Sequence, residues 1–433
     1  MGSLAEDLLG MAPSGRDVMR GRRRRAAGPA PPEEEAIGQE EWETDAGFVP
    51  RRTDRNGNAA SGRRATPGAA RLSNLSDPSS PPAPTAMRLR SSLLPLAVAL
   101  LAACVAAPSP SAAPAPSSDG IPDADRVRMA EAFRLSDQLG ERIWPGWRRV
   151  PFAVLLVTPE REYLVRHPRP SADFAKVGHD ALLGGDVYAR PRIFSPSLQA
   201  TFPAVSGLPT IVVGDAAHTG LRSTTWTLML LHEHFHQLQT SLPGYFEGVD
   251  ALRLARGDTT GMWMLNYPFP YDSAPVAARF ADFTHAAAAL IAEPRPARAD
   301  ERARSAHYAD FLAARDRLRA SLSSDDYRYL AFQLWQEGVA RYTEYALARL
   351  AAQRYQPTPE FRALADYQPF DSAAGAILER ITTGTRNPDL SRAKRVAFYP
   401  TGAAVALVLD DAAPNWRRDY LARPFSLDAY FGR

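Results

Sequence analysis

A chain of 433 residues with 45% hydrophobic side chains carries enough apolar mass for one large or two modest domains. Its formal charge of +3 is too small to argue for nucleic acid or for an acidic partner. No stretch is long and apolar enough to span a bilayer as a permanent helix.

Residues 1–86 are low-complexity, with Arg22-Arg23-Arg24-Arg25, Pro31-Pro32 and Glu33-Glu34-Glu35. They lack apolar periodicity and are expected to stay disordered. The basic start Met87-Arg88-Leu89-Arg90 then leads into an apolar run of signal-peptide length, Ser91 to Ala103. This suggests a true start at Met87, with the upstream stretch an over-extended reading frame. The alternative is a genuine cytosolic arm ahead of a membrane anchor. The run ends in Leu101-Ala102-Ala103-Cys104, at the only cysteine of the chain, and resembles a bacterial lipobox. That resemblance implies segment 87–104 to be a signal peptide, a lipid anchor on Cys104 as the membrane partner, and export to the cell envelope, with Val105 favouring the outer membrane. The alternative is a plain secretory signal cleaved nearby. Both readings export the protein.

A Pro/Ala/Ser linker over 105–120 follows, expected to be extended. The next unit, 121–221, is expected to hold one helix and a small mixed sheet. Asp123 to Ile143 has helical periodicity through Met129, Phe133, Leu135 and Leu139. Pro151 to Thr158 reads as a buried strand, Glu162 to Arg166 as its hairpin partner and Leu208 to Gly214 as another strand.

From 222 to 433 the pattern is mainly helical, over Ala277 to Glu293, Ala299 to Leu322, Ser324 to Gln353, Phe361 to Ala365, Ala373 to Thr382 and Gly402 to Asp411. The aromatic, Pro-rich segment after Gly257, with Trp263, Tyr267, Phe269 and Tyr271, is expected to line a cleft or to pack over the helices. The fold class is therefore α+β, a small mixed sheet followed by a mainly helical domain.

The chemistry concentrates in His232-Glu233-His234-Phe235-His236, an H-E-x-x-H motif inside an apolar helical run. Residues i and i+4 lie on one helix face, so His232 and His236 can offer two imidazole nitrogens to one metal ion. Glu233 is rotated by about 100° from His232, beside the metal, where a general base belongs. His234 points to the opposite side. Three of the chain's 8 histidines fall within five positions of a stretch that would bury them. Buried polar groups need partners, and a metal supplies one. Catalytic zinc takes three protein ligands. The metzincin Gly and third His are absent from Gln237 to Leu242.

The helix Leu334-Trp335-Gln336-Glu337-Gly338-Val339-Ala340-Arg341-Tyr342-Thr343-Glu344 resembles the zinc-glutamate helix of the gluzincin metallopeptidases, especially the aminopeptidase N type. The match is carried by Glu337, Gly338, Ala340, Tyr342 and Glu344, with Leu334 and Trp335 in swapped order. The resemblance implies a zincin-type domain, Zn2+ as cofactor, Glu337 as third ligand, Glu233 as base and a peptide or protein substrate. Glu344, seven residues on and on the same face, is the runner-up ligand, and Glu247 is more distant. Phe398-Tyr399-Pro400-Thr401-Gly402 resembles the Tyr-x-x-Gly-aliphatic helix of these enzymes, which implies Tyr399 as the donor to a tetrahedral oxyanion. The alternative for Tyr399 is a side chain packed at a helix start.

Two departures stand out. The ligand helices lie 337 − 236 = 101 positions apart, so the intervening segment is expected to form extra helices over the cleft. The Gly-x-Met-Glu-Asn strand that grips a substrate amine is absent upstream of His232. The expected function is an exported zinc-dependent peptidase. The alternative is a non-catalytic, metal-binding surface lipoprotein of the cell envelope. Structural zinc sites are usually Cys-rich, and no cysteine follows Cys104.

Overall fold

Val154-Leu155-Leu156-Val157 is apolar at every position because the strand it forms is covered on both faces. A computed structural model describes residues 120–292 and 301–431. The expected low-complexity stretch, signal segment and Cys104 lie outside the described residues. Strand β1, Val154–Val157, pairs antiparallel with β2, Arg161–Val165, in the hairpin that the sequence suggests.

Four further strands complete the sheet: β3 Ala175–Asp180, β4 Gly185–Pro191, β5 Gln199–Val205 and β6 Leu208–Gly214. Their order is β3-β4-β2-β1-β6-β5. β1 and β6 run parallel and the other pairs antiparallel, so the sheet is mixed. Val154, Leu156, Tyr163, Val165, Ile211 and Val213 face the helices. Leu155, Val157, Leu164 and Val212 face the other way, onto Phe174, Phe194 and Val205. Successive strand residues alternate faces, which sorts these side chains into two layers.

Helix α1, Asp123–Leu135, continues through a π turn, Ser136–Gly140, and a short turn to Ile143. Helix α2, Ser223–Thr240, carries the histidine motif and is buried along almost its whole length. Helices α3, Ala274–Ala292, and α4, Glu301–Ser321, lie in the long segment between the histidine motif and Glu337. Helix α5, Ser324–Gln333, runs through a π turn, Leu334–Gly338, into α6, Val339–Arg354. Helices α7, Phe370–Arg386, and α8, Phe398–Ala412, close the helical layer. Sheet and helices share one hydrophobic core, and the architecture is α+β.

The aromatic segment after Gly257 packs over the helices. Tyr267 stacks on Tyr329 at 4.3 Å, Phe269 meets Phe398 edge-on at 5.3 Å and Trp263 lies 5.6 Å from Phe332.

Candidate metal centre

Helix α2 is held at both ends and along its sheet side. The Ser223 amide donates to Asp366 Oδ2 at 2.9 Å, which satisfies a first-turn donor. Trp226 Nε1 donates to the Gly214 carbonyl of β6 at 2.9 Å. Gln237 Nε2 donates to the carbonyls of Ala153 and Pro209, both at 3.0 Å. With its axis thus fixed, the helix turns His232 and His236 toward the α5–α6 helix. Their rings lie 5.0 Å apart.

Glu337 meets them there. Its Oε2 lies 3.8 Å from His232 Nε2 and 3.3 Å from His236 Nε2. One donor atom from each of the three residues falls within 4.8 Å of the others, so the group can hold a metal ion. Glu337 sits in the π turn, which widens the helix locally; such turns often occur at functional sites.

The donor chemistry fits a divalent transition metal such as zinc. The tautomer of His236 is fixed by its neighbour. Gln239 Nε2 points at three oxygens, the Trp335 and Gln336 carbonyls at 3.3 and 3.1 Å and Tyr420 Oη at 2.8 Å. That leaves Gln239 Oε1 facing His236 Nδ1 at 2.7 Å, where the oxygen can only accept. Nδ1 therefore carries the proton of the neutral imidazole, and Nε2, on the Glu337 side, is the nitrogen left to bind a cation. His232 Nδ1 faces Glu344 Oε2 at 3.6 Å, and Glu344 is itself held by Arg341 Nη1 at 2.5 Å. Glu344 thus supports His232 from the rear nitrogen, while Glu337 stands on the Nε2 side of both rings. Such rear partners orient metal-binding imidazoles. Glu247 is exposed to solvent, outside the group.

Without a metal the cluster is a tight ionic knot. Burial opposes protonation of His232, but Glu337 and Glu344 outweigh it and push its pKa up to about 9. His236 is also raised, since the Glu337 carboxylate outweighs its burial. Burial acts against the charge on Glu337, yet the two imidazoles hold its carboxyl well below the ordinary range. Glu344 is lowered to about 2, its burial outweighed first by Arg341. A cation bound among these groups would displace the imidazole protons.

Glu233 is buried beside this group, and its Oε2 accepts a hydrogen bond from Thr201 Oγ1 at 2.7 Å. Thr201 belongs to β5, the strand at one end of the sheet. The carboxylate is therefore tied to a sheet edge.

Tyr399, at the start of α8, stacks against His232 at 6.3 Å. Burial raises its phenol, and Arg395 partly offsets this. Two glycines permit the close approach of α8. A Cβ on Gly338 would lie 2.3 Å from Gly402 Cα, and one on Gly402 would lie 2.5 Å from Gly338 Cα and 2.7 Å from the Leu334 carbonyl. The helices cross backbone to backbone, which sets Tyr399 next to Glu337.

His234 points away, as its position on the helix implies. It stacks flat on Phe152 at 4.0 Å and edge-on to Trp147 at 4.8 Å. Burial lowers its pKa to about 4, so it stays neutral.

The residue reading missed Thr201, Gln239 and Arg395. Gln239 follows His236 at i+3 on the same helix and was within reach of a helical-face argument. The other two come from segments whose position only the tertiary fold reveals.

No family model, no curated protein and no solved structure matches this chain.

Proposed function

We propose that this chain is a zinc-dependent hydrolase of the zincin type, with a gluzincin ligand set, that cleaves peptide bonds. The observation that carries the reading is the convergence of His232, His236 and Glu337 beside Glu233, whose carboxylate is tied to the sheet-edge strand β5.

A bound metal would supply Lewis acidity, polarising a carbonyl and lowering the pKa of a water. The protein's own groups do the rest. His232, His236 and Glu337 hold the ion, with Gln239 and Glu344 fixing the imidazoles. Glu233 accepts the proton of the attacking water and delivers it to the leaving amine. Thr201 holds one oxygen of Glu233, so the other is left to face the water. Tyr399 donates toward the carbonyl oxygen as it gains charge. The outer edge of β5 offers backbone groups to an extended peptide, which would add to the sheet as a further strand. A main-chain partner of this kind favours peptides over other amides. Export on a lipid-anchored Cys104 would place this activity in the cell envelope.

The test is Glu233→Gln, assayed on the zinc-loaded protein with a quenched fluorogenic peptide library. We expect zinc to be retained and hydrolysis to fall about 10²–10⁴-fold. Undiminished hydrolysis in that variant would remove Glu233 from the mechanism.

A further inference from the structure

Arg395 is a buried cation at the metal centre, with a side chain 9% exposed. Its Nη1 donates to Tyr399 Oη at 2.6 Å and lies 3.7 Å from Glu337 Oε1. Neither Nε nor Nη2 has a hydrogen-bond partner among the described residues. Within 4 Å, Glu337 is its one carboxylate neighbour among those residues. A buried charge is costly unless it is paired and hydrogen-bonded. In the centre proposed above, the charge of Glu337 would be shared with the cation. Arg395 is then left short of counter-charge, with donors to spare.

The backbone is shaped to present this side chain. Lys394 takes φ 47° and ψ −130°, a strained combination for a residue other than glycine. Its Nζ is anchored to both oxygens of Asp272, at 2.7 and 2.8 Å. The short 3-10 turn Lys394–Ala397 then delivers Arg395 beneath the first turn of α8. Its guanidinium lies 5.4 Å from the Tyr399 ring centre.

We propose that Arg395 and Tyr399 together form a two-donor receptor for the anionic oxygen that develops at the scissile carbonyl. This rests on the hydrolase reading above. As the water oxygen bonds to the carbonyl carbon, the π pair moves onto the carbonyl oxygen and the water's proton goes to Glu233. When the C–N bond breaks, the pair returns to re-form the carbonyl and Glu233 releases its proton to the nitrogen. Arg395 stays charged throughout, because a guanidinium does not deprotonate in proteins. Tyr399 Oη accepts from Arg395 while its own O–H meets the Glu337 carboxylate, and a cation held by that carboxylate would release the O–H to point at the oxyanion. The donated bond also makes that proton a stronger donor.

The test uses inorganic phosphate as an oxyanion probe, titrated calorimetrically into the zinc-loaded full chain. Arg395→Met is expected to keep zinc but weaken phosphate about ten- to a hundred-fold, the loss of a charge-assisted contact. Arg395→Lys should recover part of the affinity, and Tyr399→Phe should lose part of it. These two variants carry the test if Arg395→Met fails to fold. Zinc loading with unchanged phosphate affinity in the folded variants would overturn the receptor and leave the metal centre standing. Failure of the wild type to take up zinc would overturn both. On peptides, free-acid and amidated forms separate the source of the anion. An equal fall in kcat for both supports the oxyanion receptor. A rise in KM for the free acids alone would replace it with a pocket for a substrate carboxylate.

Discussion

Helix α2 contains two histidine–glutamine pairs built alike. His234 Nδ1 meets Gln237 Oε1 and His236 Nδ1 meets Gln239 Oε1, both at 2.7 Å and both at i,i+3 spacing. Their surroundings send them to opposite ends. Gln237 spends its amide on the carbonyls of Ala153 and Pro209, and His234 lies against Phe152, so this pair locks the helix to the sheet. Gln239 spends its amide on carbonyls of the π turn that carries Glu337, and His236 turns its Nε2 to that carboxylate. The same local spacing yields a core contact on one face and a candidate metal ligand on the other. What lies across the interface decides which.

The largest way to break the contrast is to delete one ring from each face. His232→Ala should abolish stoichiometric zinc binding while leaving a folded chain. His234→Ala should keep zinc but cost about 2–4 kcal/mol of stability, as expected for removing a large buried ring and orphaning Gln237. Elemental analysis and thermal melting of both variants check this; zinc loss in the His234 variant would erase the distinction.

The glutamines offer a smaller perturbation of the same kind. Gln239→Ala should weaken zinc about 10–100-fold, the usual cost of losing a partner that orients a ligand. Gln237→Ala should lower the melting temperature without touching zinc affinity. Competition against a chelator of known strength separates the two.

The smallest effect is in the pH dependence of the metal-free protein, where the histidines act with opposite sign. The folded pKa of His232, about 9, lies above its ordinary 6.5. Its stabilising contribution is therefore complete below about pH 6.5 and lost as pH rises toward 9. The folded pKa of His234, about 4, lies below 6.5, so its contribution is complete above about pH 6.5 and lost as pH falls toward 4. Melting curves should show an alkaline limb that His232→Gln flattens and an acid limb that His234→Gln flattens. Adding zinc should remove the alkaline limb, since bound imidazoles carry no extra proton.

Much of this was legible in the residues, for identifiable reasons. β6 spans Leu208–Gly214 as its β-branched run implies, and the β1–β2 hairpin follows from apolar runs on either side of Pro159-Glu160. The i,i+4 histidines needed only helical geometry. Strand β3 was not legible because its side chains are mostly exposed and show no apolar alternation. Strand β5 was hidden by Pro203, which a central strand would exclude. As an edge strand it accommodates the proline, with a register shift between Phe202 and Val205. Missing β5 meant missing Thr201.

Arg395 was hidden differently. It lies among Arg392, Lys394 and other polar residues that read as a solvated surface turn, and only the tertiary fold sets it inside against Tyr399 and Glu337. The long gap between His236 and Glu337 contains α3 and α4, which a local pattern finds but cannot place.

The most direct test of the central claim is the zinc content of the purified chain beside its Glu337→Ala variant. The account predicts close to one zinc per wild-type chain and almost none in the variant. Zinc retained by the variant, or absent from the wild type after reconstitution, would contradict it.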